Sequence, residues 1–237
     1  MTVPCEKRYH YSADHCETES TLTASTRRRC HEAYMKFTLF FLYLFMFASF
    51  ANAQSTNLLK NPNADDGANG WRVYGKATVE QTDDGNSRFV VRDKGHFFQD
   101  VILPDGSAGK YALLIGRVSS ERINADGSIT GLPYLYGYMM VDANPRGGRI
   151  LSYLQGQQMV SSSRKENDWV TAWGIFQIPA GTGAIRFFLN QAERKDLPQN
   201  GSAARFDDLG LYIFSTEPEA SEFVKAHQGG DRAANSR

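Results

Sequence analysis

Tyr134, Tyr136 and Tyr138 stand at every second position of one short segment, which on a β-strand puts three phenol rings on the same face. Flat aromatic faces pack against the polarised C–H patch of a sugar ring, whose hydroxyls then need planar amides, carboxylates or guanidinium groups at the patch edge. Trp173 and Phe188 lie opposite the aliphatic faces of their own segments and join the candidate surface. Gln177, Arg186 and Asn190 supply edge groups, with Gln155 and Asp142 as further candidates. No spacing rule ties these residues together, so a half-buried tyrosine face under the Gly-rich stretch at residues 143–148 stands beside the sugar platform as an alternative.

Enzymatic chemistry has less to work with. A Ser-His-Asp arrangement would depend on His96, because the other histidine of the C-terminal three-quarters, His227, sits in a polar tail. No Gly-rich phosphate loop opening a helix and no His-x-x-x-His pair is present. A pair of carboxylates acting as glycosidase acid and base stays open, since acidic residues are plentiful and their separation is not written in the sequence. Lys+Arg 26 balances Asp+Glu 26, which argues against a nucleic acid as partner.

The elements that must position these groups are short and strand-like. Phe89–Val91, Phe97–Leu103, Tyr111–Val118, Tyr134–Val141, Ile150–Leu154, Trp169–Ile178, Ile185–Asn190 and Leu209–Phe214 alternate or run apolar. Pro104-Asp105-Gly106, Asp126-Gly127 and Gly181-Thr182-Gly183 punctuate them with turn chemistry. Val170, Ala172, Gly174, Phe176 and Ile178 share one face of their segment, and Ile185, Phe187 and Leu189 one face of theirs. The pattern predicts an all-β fold, an antiparallel two-sheet sandwich or a barrel.

The first 53 residues concern addressing. Lys36 precedes the apolar run Phe37–Phe50, and Ala51-Asn52-Ala53 has the small-x-small form of a cleavage site before Gln54. Residues 35–53 are therefore expected to be a signal peptide, cleaved near Ala53-Gln54, with the product secreted or periplasmic and no remaining membrane span. Residues 1–34 hold Cys5, Cys16 and Cys30 and read as a mis-assigned or disordered leader. Residues 54–214 form the expected domain, without cysteine, and residues 215–237 a flexible polar tail containing Pro218 and Gly229-Gly230.

Asn57-Leu58-Leu59-Lys60-Asn61-Pro62-Asn63-Ala64-Asp65-Asp66-Gly67, followed by Gly70-Trp71, resembles the opening of carbohydrate-binding modules with the galactose-binding-like jelly roll. It is also similar to the opening of the F-box-associated glycoprotein-binding domain, which shares that fold. Phe97-Phe98-Gln99-Asp100-Val101, Asp168-Trp169 and the closing Phe206-Asp207-Asp208-Leu209 continue the resemblance across residues 57–214. It implies opening and closing strands that meet, a glycan or glycoprotein as partner, and a noncatalytic role. It also implies a structural calcium (Ca2+) held by Asp65 and Asp207, although this chain has Ala64-Asp65 where the family usually has Phe-Glu. A protein-binding sandwich using residues 119–132 and a small glycan hydrolase are the alternatives.

Overall fold

The computed structural model describes residues 55–83, 85–123, 129–144, 146–160, 168–192 and 202–234. The expected leader, the signal peptide and part of the 119–132 loop lie outside these. Gln54–Arg237 forms one compact unit.

Ten strands follow in order: β1 (Arg72–Gln81), β2 (Ser87–Ile102), β3 (Tyr111–Ser120), β4 (Arg122–Ile123), β5 (Ile129–Thr130), β6 (Pro133–Met140), β7 (Ile150–Leu154), β8 (Val170–Gln177), β9 (Ala184–Gln191) and β10 (Ala203–Phe214). All pairings are antiparallel, and the main ladder runs β7-β6-β9-β2-β10-β3-β8, with β1 beside β2. β4 and β5 pair only with each other.

β2 joins the two layers. Its first half pairs with β10 from Phe89 to Arg92, and its second half pairs with β9 from His96 to Ile102. Asp93, at a positive φ of 51°, marks the bend between them, opposite a register shift in β1 between Tyr74 and Lys76. Two segments that read separately as strands, 89–91 and 97–103, are thus one strand of 16 residues. One layer comprises β7, β6, β9 and the end of β2; the other comprises β8, β3, β10 and its start.

Between the layers lies one core. Leu135, Met139, Phe187 and Leu189 enter it from the first layer, and Leu114, Val118, Phe206 and Leu211 from the second. Burying each such side chain stabilises the fold by about 1.5–3 kcal/mol, which lets a core of this size stand without disulfides. The architecture is a two-layer antiparallel β-sandwich, one of the forms the strand pattern predicts.

The opening motif is not itself a strand. Its asparagines act as brackets: Asn57 Nδ2 donates to Leu209 O at 2.8 Å, while its Oδ1 accepts from the amides of Leu59 and Leu211, both at 3.1 Å. Leu58 N donates to Leu211 O, so the first segment and the last strand do meet. Asn61 turns the loop with φ 48° and ties Asp66, Gly67 and Asn69 together. Trp71 belongs to the core, 5.0 Å from the Phe89 ring centre, with its indole N–H on Asn61 O.

The expected flexible tail is an 18-residue helix, α1 (Glu217–Ala234). Thr216 and Glu219 form a capping box: Glu219 N reaches Thr216 Oγ1 at 3.4 Å and Glu219 Oε2 accepts from Thr216 N at 3.3 Å. Ala220, Phe223, Val224 and His227 recur at helical spacing on one face. Ala220 and Val224 are buried against Leu113 and Ile115 of β3, with Trp173, Ile175, Tyr212 and Phe214 around them. Among the described residues no helix is long and apolar enough to cross a membrane.

Candidate functional site

The outer face of the first layer carries three cross-strand rows of side chains. The first is Tyr134, Asn190, His96 and Tyr74; the second is Tyr136, Phe188, Phe98 and Arg72; the third is Tyr153, Tyr138, Arg186 and Asp100. Each row follows from register alone, because alternate residues of β6, β9, β2 and β1 point to the same side.

Phe188 and Phe98 form the floor, both 5% exposed, with ring centres 5.2 Å apart. Tyr136 stacks on Phe188 at 4.5 Å and 13°, and Tyr138 leans on it at 5.1 Å. Tyr153 meets Tyr138 edge-on at 5.6 Å on one flank, and Tyr74 lies parallel to Phe98 at 5.7 Å on the other. Aromatic contact therefore runs unbroken across five strands, from β7 to β1. At about 4.8 Å per strand this gives an apolar strip roughly 19 Å long.

Polar groups border the strip. Arg186, 8% exposed, grips Asp100 with two bonds, Nε–Oδ1 at 2.5 Å and Nη2–Oδ2 at 2.8 Å, and reaches Asn144 O at 3.0 Å. Its guanidinium lies 4.6 Å from the Phe98 ring centre. The Asp100 hydrogen bond holds the Arg186 pKa above its ordinary value, and guanidinium and carboxylate offset each other's charge. Asn144, just past β6, brings its backbone carbonyl to Arg186 at one end of the strip. Tyr134 Oη bonds Gln155 Oε1 at 3.2 Å at the other end, and Asn190 stands beside it in register.

Burial raises the pKa of Tyr134, Tyr136 and Tyr138, most of all Tyr136, which also hydrogen-bonds Tyr138. The phenols remain protonated donors throughout the physiological range. Burial lowers the pKa of His96, which favours a neutral imidazole stacked 5.0 Å from Tyr74.

Six of the eight side chains nominated from sequence come together here: Tyr134, Tyr136, Tyr138, Phe188, Arg186 and Asn190. Trp173 and Gln177 do not. Both point outward from β8, in the second layer, where Trp173 packs in the cluster beneath α1. Arg72, Tyr74, His96, Phe98, Asp100 and Tyr153 are the members that sequence reasoning missed. The signal was present in Phe98 and Asp100, which alternate with the core residues Phe97 and Val101.

The proposed metal ligands lie at the other end of the second layer. Burial pushes the Asp207 carboxyl up to about 6, with the charges of Asp208 and Asp65 adding to the effect. Asp207 Oδ1 accepts the Asp208 amide at 2.9 Å. Among the described residues no three His, Cys, Asp or Glu side chains cluster as a metal site, so any sphere would need backbone carbonyls. The Arg117 guanidinium acts in the opposite direction on the Asp207 carboxyl, pulling its pKa down.

No family model and no curated protein matches the sequence. Several solved structures are similar in part. The carbohydrate-binding module TmCBM61, solved with β-1,4-galactotriose, is 21% identical over 68% of this chain and 100% of that one, with a TM-score of 0.41. The CBM22-1 xylan-binding domain from Paenibacillus barcinonensis Xyn10C is 15% identical over 68% and 97%, with a TM-score of 0.45. The enzymatically active domain of tailspike protein 4 from bacteriophage CBA120 is 12% identical with a TM-score of 0.46; 67% of this chain aligns to 21% of that chain. The superpositions are partial, and the architecture and the aromatic face described above stand on this chain's own ladders and side chains.

Proposed function

We propose that residues 54–234 are an exported, noncatalytic glycan-binding domain that holds an extended, uncharged saccharide chain across β1, β2, β9, β6 and β7. The observation that carries this is the unbroken aromatic strip with a fixed polar border. A chain of sugar rings laid along it sets successive C–H faces against Tyr74, Tyr136, Tyr138 and Tyr153, with the buried rings of Phe98 and Phe188 supporting them from beneath. Its hydroxyls meet the phenols, Asn190 and Gln155. Desolvating such a ligand costs less than desolvating a charged one, and Arg186 and Asp100 already neutralise each other.

Hydrolysis would need two carboxylates flanking the scissile bond. The three rows contain one carboxylate, Asp100, and Arg186 binds both its oxygens. That arrangement supports binding without turnover.

A glycan array on the chain from Gln54 onward identifies the ligand class. The rim rings then test the surface: Tyr74 and Tyr153 are 52% and 60% exposed, so replacing either by Ala leaves the fold alone. Each change is expected to weaken binding of the best array saccharide by about 5–10-fold, roughly 1–1.4 kcal/mol, by calorimetry. The melting temperature stays within about 2 °C, as for other surface substitutions. Unchanged affinity in both variants would remove the strip from the binding account.

Calcium is part of the same proposal, with Asp65 and Asp207 as side-chain ligands and a structural role. The sign of the pH effect is fixed by the raised Asp207 pKa. The unfolded chain loses this proton near its ordinary pKa and the folded chain only near 6, so without metal the group costs stability as pH rises through that window. Asp207→Asn is expected to melt at or above the parent in chelator at pH 7.5, with the difference gone at pH 3.5. Added calcium should raise the parent's melting temperature and leave the variant's unchanged. Equal responses to calcium would exclude this ligand set.

A further inference from the structure

The second layer carries a cleft of about 520 Å³ remote from the aromatic strip. The opening loop at Pro62 and Asn63, Ile115 to Arg117 of β3, Thr171 of β8, the bulge of β10 and His227 of α1 enclose it. None of the strip's residues lines it, and none of the side chains nominated from sequence does.

The cleft is made by an irregularity in the ladder. Register between β10 and β3 shifts between Asp207 and Gly210, so that Asp208 and Leu209 bulge opposite Gly116. Gly116 permits this, because a Cβ there would stand 2.7 Å from Leu209 Cδ2, and Leu209 instead fills that space from the core side. Asp208 takes φ 46°, a conformation uncommon outside Gly, Asn and Asp, and turns its carboxylate toward Arg117, with Oδ2–Nη1 at 3.7 Å. Arg117 is itself held over the Trp169 ring at 5.7 Å. Strain of this sort persists where the surroundings hold it, and it concentrates at ligand sites.

The geometry points to a second ligand site in this cleft, one that takes a single neutral polyhydroxylated ring such as a monosaccharide or the end of a saccharide chain. Three features set that class. The volume lies within the roughly 300–1,000 Å³ of small-ligand sites and is ample for one sugar ring. The wall sets apolar surface, from Ile115 and the Tyr212 ring, beside a guanidinium, a carboxylate, the Thr171 hydroxyl and an imidazole, which together match vicinal hydroxyls as donors and acceptors. Charge within it balances between Arg117 and Asp208, which suits a neutral ligand. His227 Nδ1 lies 3.0 Å from Phe223 O, and its ring stacks on Phe223 at 4.2 Å, so α1 fixes the imidazole at the cleft's edge. A domain with both sites would hold a chain along its length on one layer and an end group on the other.

Amide and side-chain NMR of the full folded chain, titrated separately with glucose, galactose and xylose, tests the site. Saturable shifts are expected at Gly116, Arg117, Thr171 and Asp208 for at least one of the three sugars. The same shifts should appear in Tyr136→Ala, which disables the strip, so failure of one site is read apart from failure of the other. Asp208→Asn keeps a residue that tolerates φ 46° and removes the charge; it is expected to weaken these shifts at least 5-fold while leaving binding on the strip unchanged. Thr171→Val provides a second variant with the backbone untouched. Absence of saturable shifts at the cleft with all three sugars, or equal affinity in both variants, overturns the proposal.

Discussion

Replacing Tyr136 by Ala is expected to abolish measurable saccharide binding, a loss of at least about 30-fold, or ~2 kcal/mol. Tyr136 is stacked at 4.5 Å on the floor ring Phe188, 5.1 Å from Tyr134 and hydrogen-bonded to Tyr138, so its removal opens a gap in the middle of the strip. Tyr136→Phe separates the causes. It keeps the ring face and drops the hydroxyl, and should retain affinity within about 5-fold if stacking dominates, as aromatic contact energies suggest. Calorimetry with the best array saccharide decides between them. Binding lost equally in both variants would shift the weight from ring stacking to the hydroxyl network. Some stability goes too, because an aromatic pair contributes about 0.5–1.5 kcal/mol beyond its buried area. Affinity therefore has to be measured well below the variant's melting temperature.

The second large effect concerns α1. Val224 is 3% exposed and rests on Leu113 and Ile115, themselves 0% and 3% exposed. Val224→Asp places a carboxylate in that contact, where an unpaired charge costs several kcal/mol. The helix should undock, exposing Leu113, Ile115 and Trp173 together. Hydrogen exchange of residues 217–228 should accelerate at least 100-fold, tryptophan emission should shift to the red, and the protein should aggregate through the bared face. Binding on the strip is expected to persist, since α1 packs on β3, β8 and β10 of the other layer. A variant with unchanged exchange across the helix would show that the contact contributes little.

That helix also shows where the sequence was legible and where it was misread. The signs were present: Thr216 and Glu219 at capping-box spacing, then Ala220, Phe223, Val224 and His227 on one stripe. Pro218 and Gly229-Gly230 argue locally for a mobile tail, but Pro is tolerated in the first turn, where its missing N–H has no partner to lose. Packing against β3 and β8 then settles what propensity leaves open.

Strand alternation was read correctly, and so was the inside of each strand: Val170, Ala172, Phe176 and Ile178 face the core, as do Ile185, Phe187 and Leu189. Period two distinguishes inward from outward and says nothing about which layer a strand joins. Trp173 and Phe188 both point outward, yet to opposite sides of the sandwich, and one of the two is covered by a helix. Only the ladder order, in which β8 and β9 are separated by β3, β10 and β2, reveals this. Tyr74 and Arg72 were missed for a different reason. The segment Arg72–Gln81 alternates without an aliphatic face strong enough to read as a strand, since its burial is supplied by Ala77 and partly by Val79.

The opening motif was legible as a landmark more than as structure. Asn57 and Asn61 act through side-chain bonds to backbone, so the segment is fixed without joining a ladder. Its meeting with the final strand was expected, and Leu58 N to Leu211 O at 2.9 Å supplies it.

The most direct test of the strip is aromatic-ring NMR of the folded chain with the saccharide selected by the array. Shifts are predicted for the rings of Tyr74, Phe98, Tyr136, Tyr138, Tyr153 and Phe188, on one layer and across five strands, while the Trp173 ring beneath α1 stays where it was. Perturbation centred on Trp173 and Gln177, with the tyrosine rings unmoved, would contradict the account.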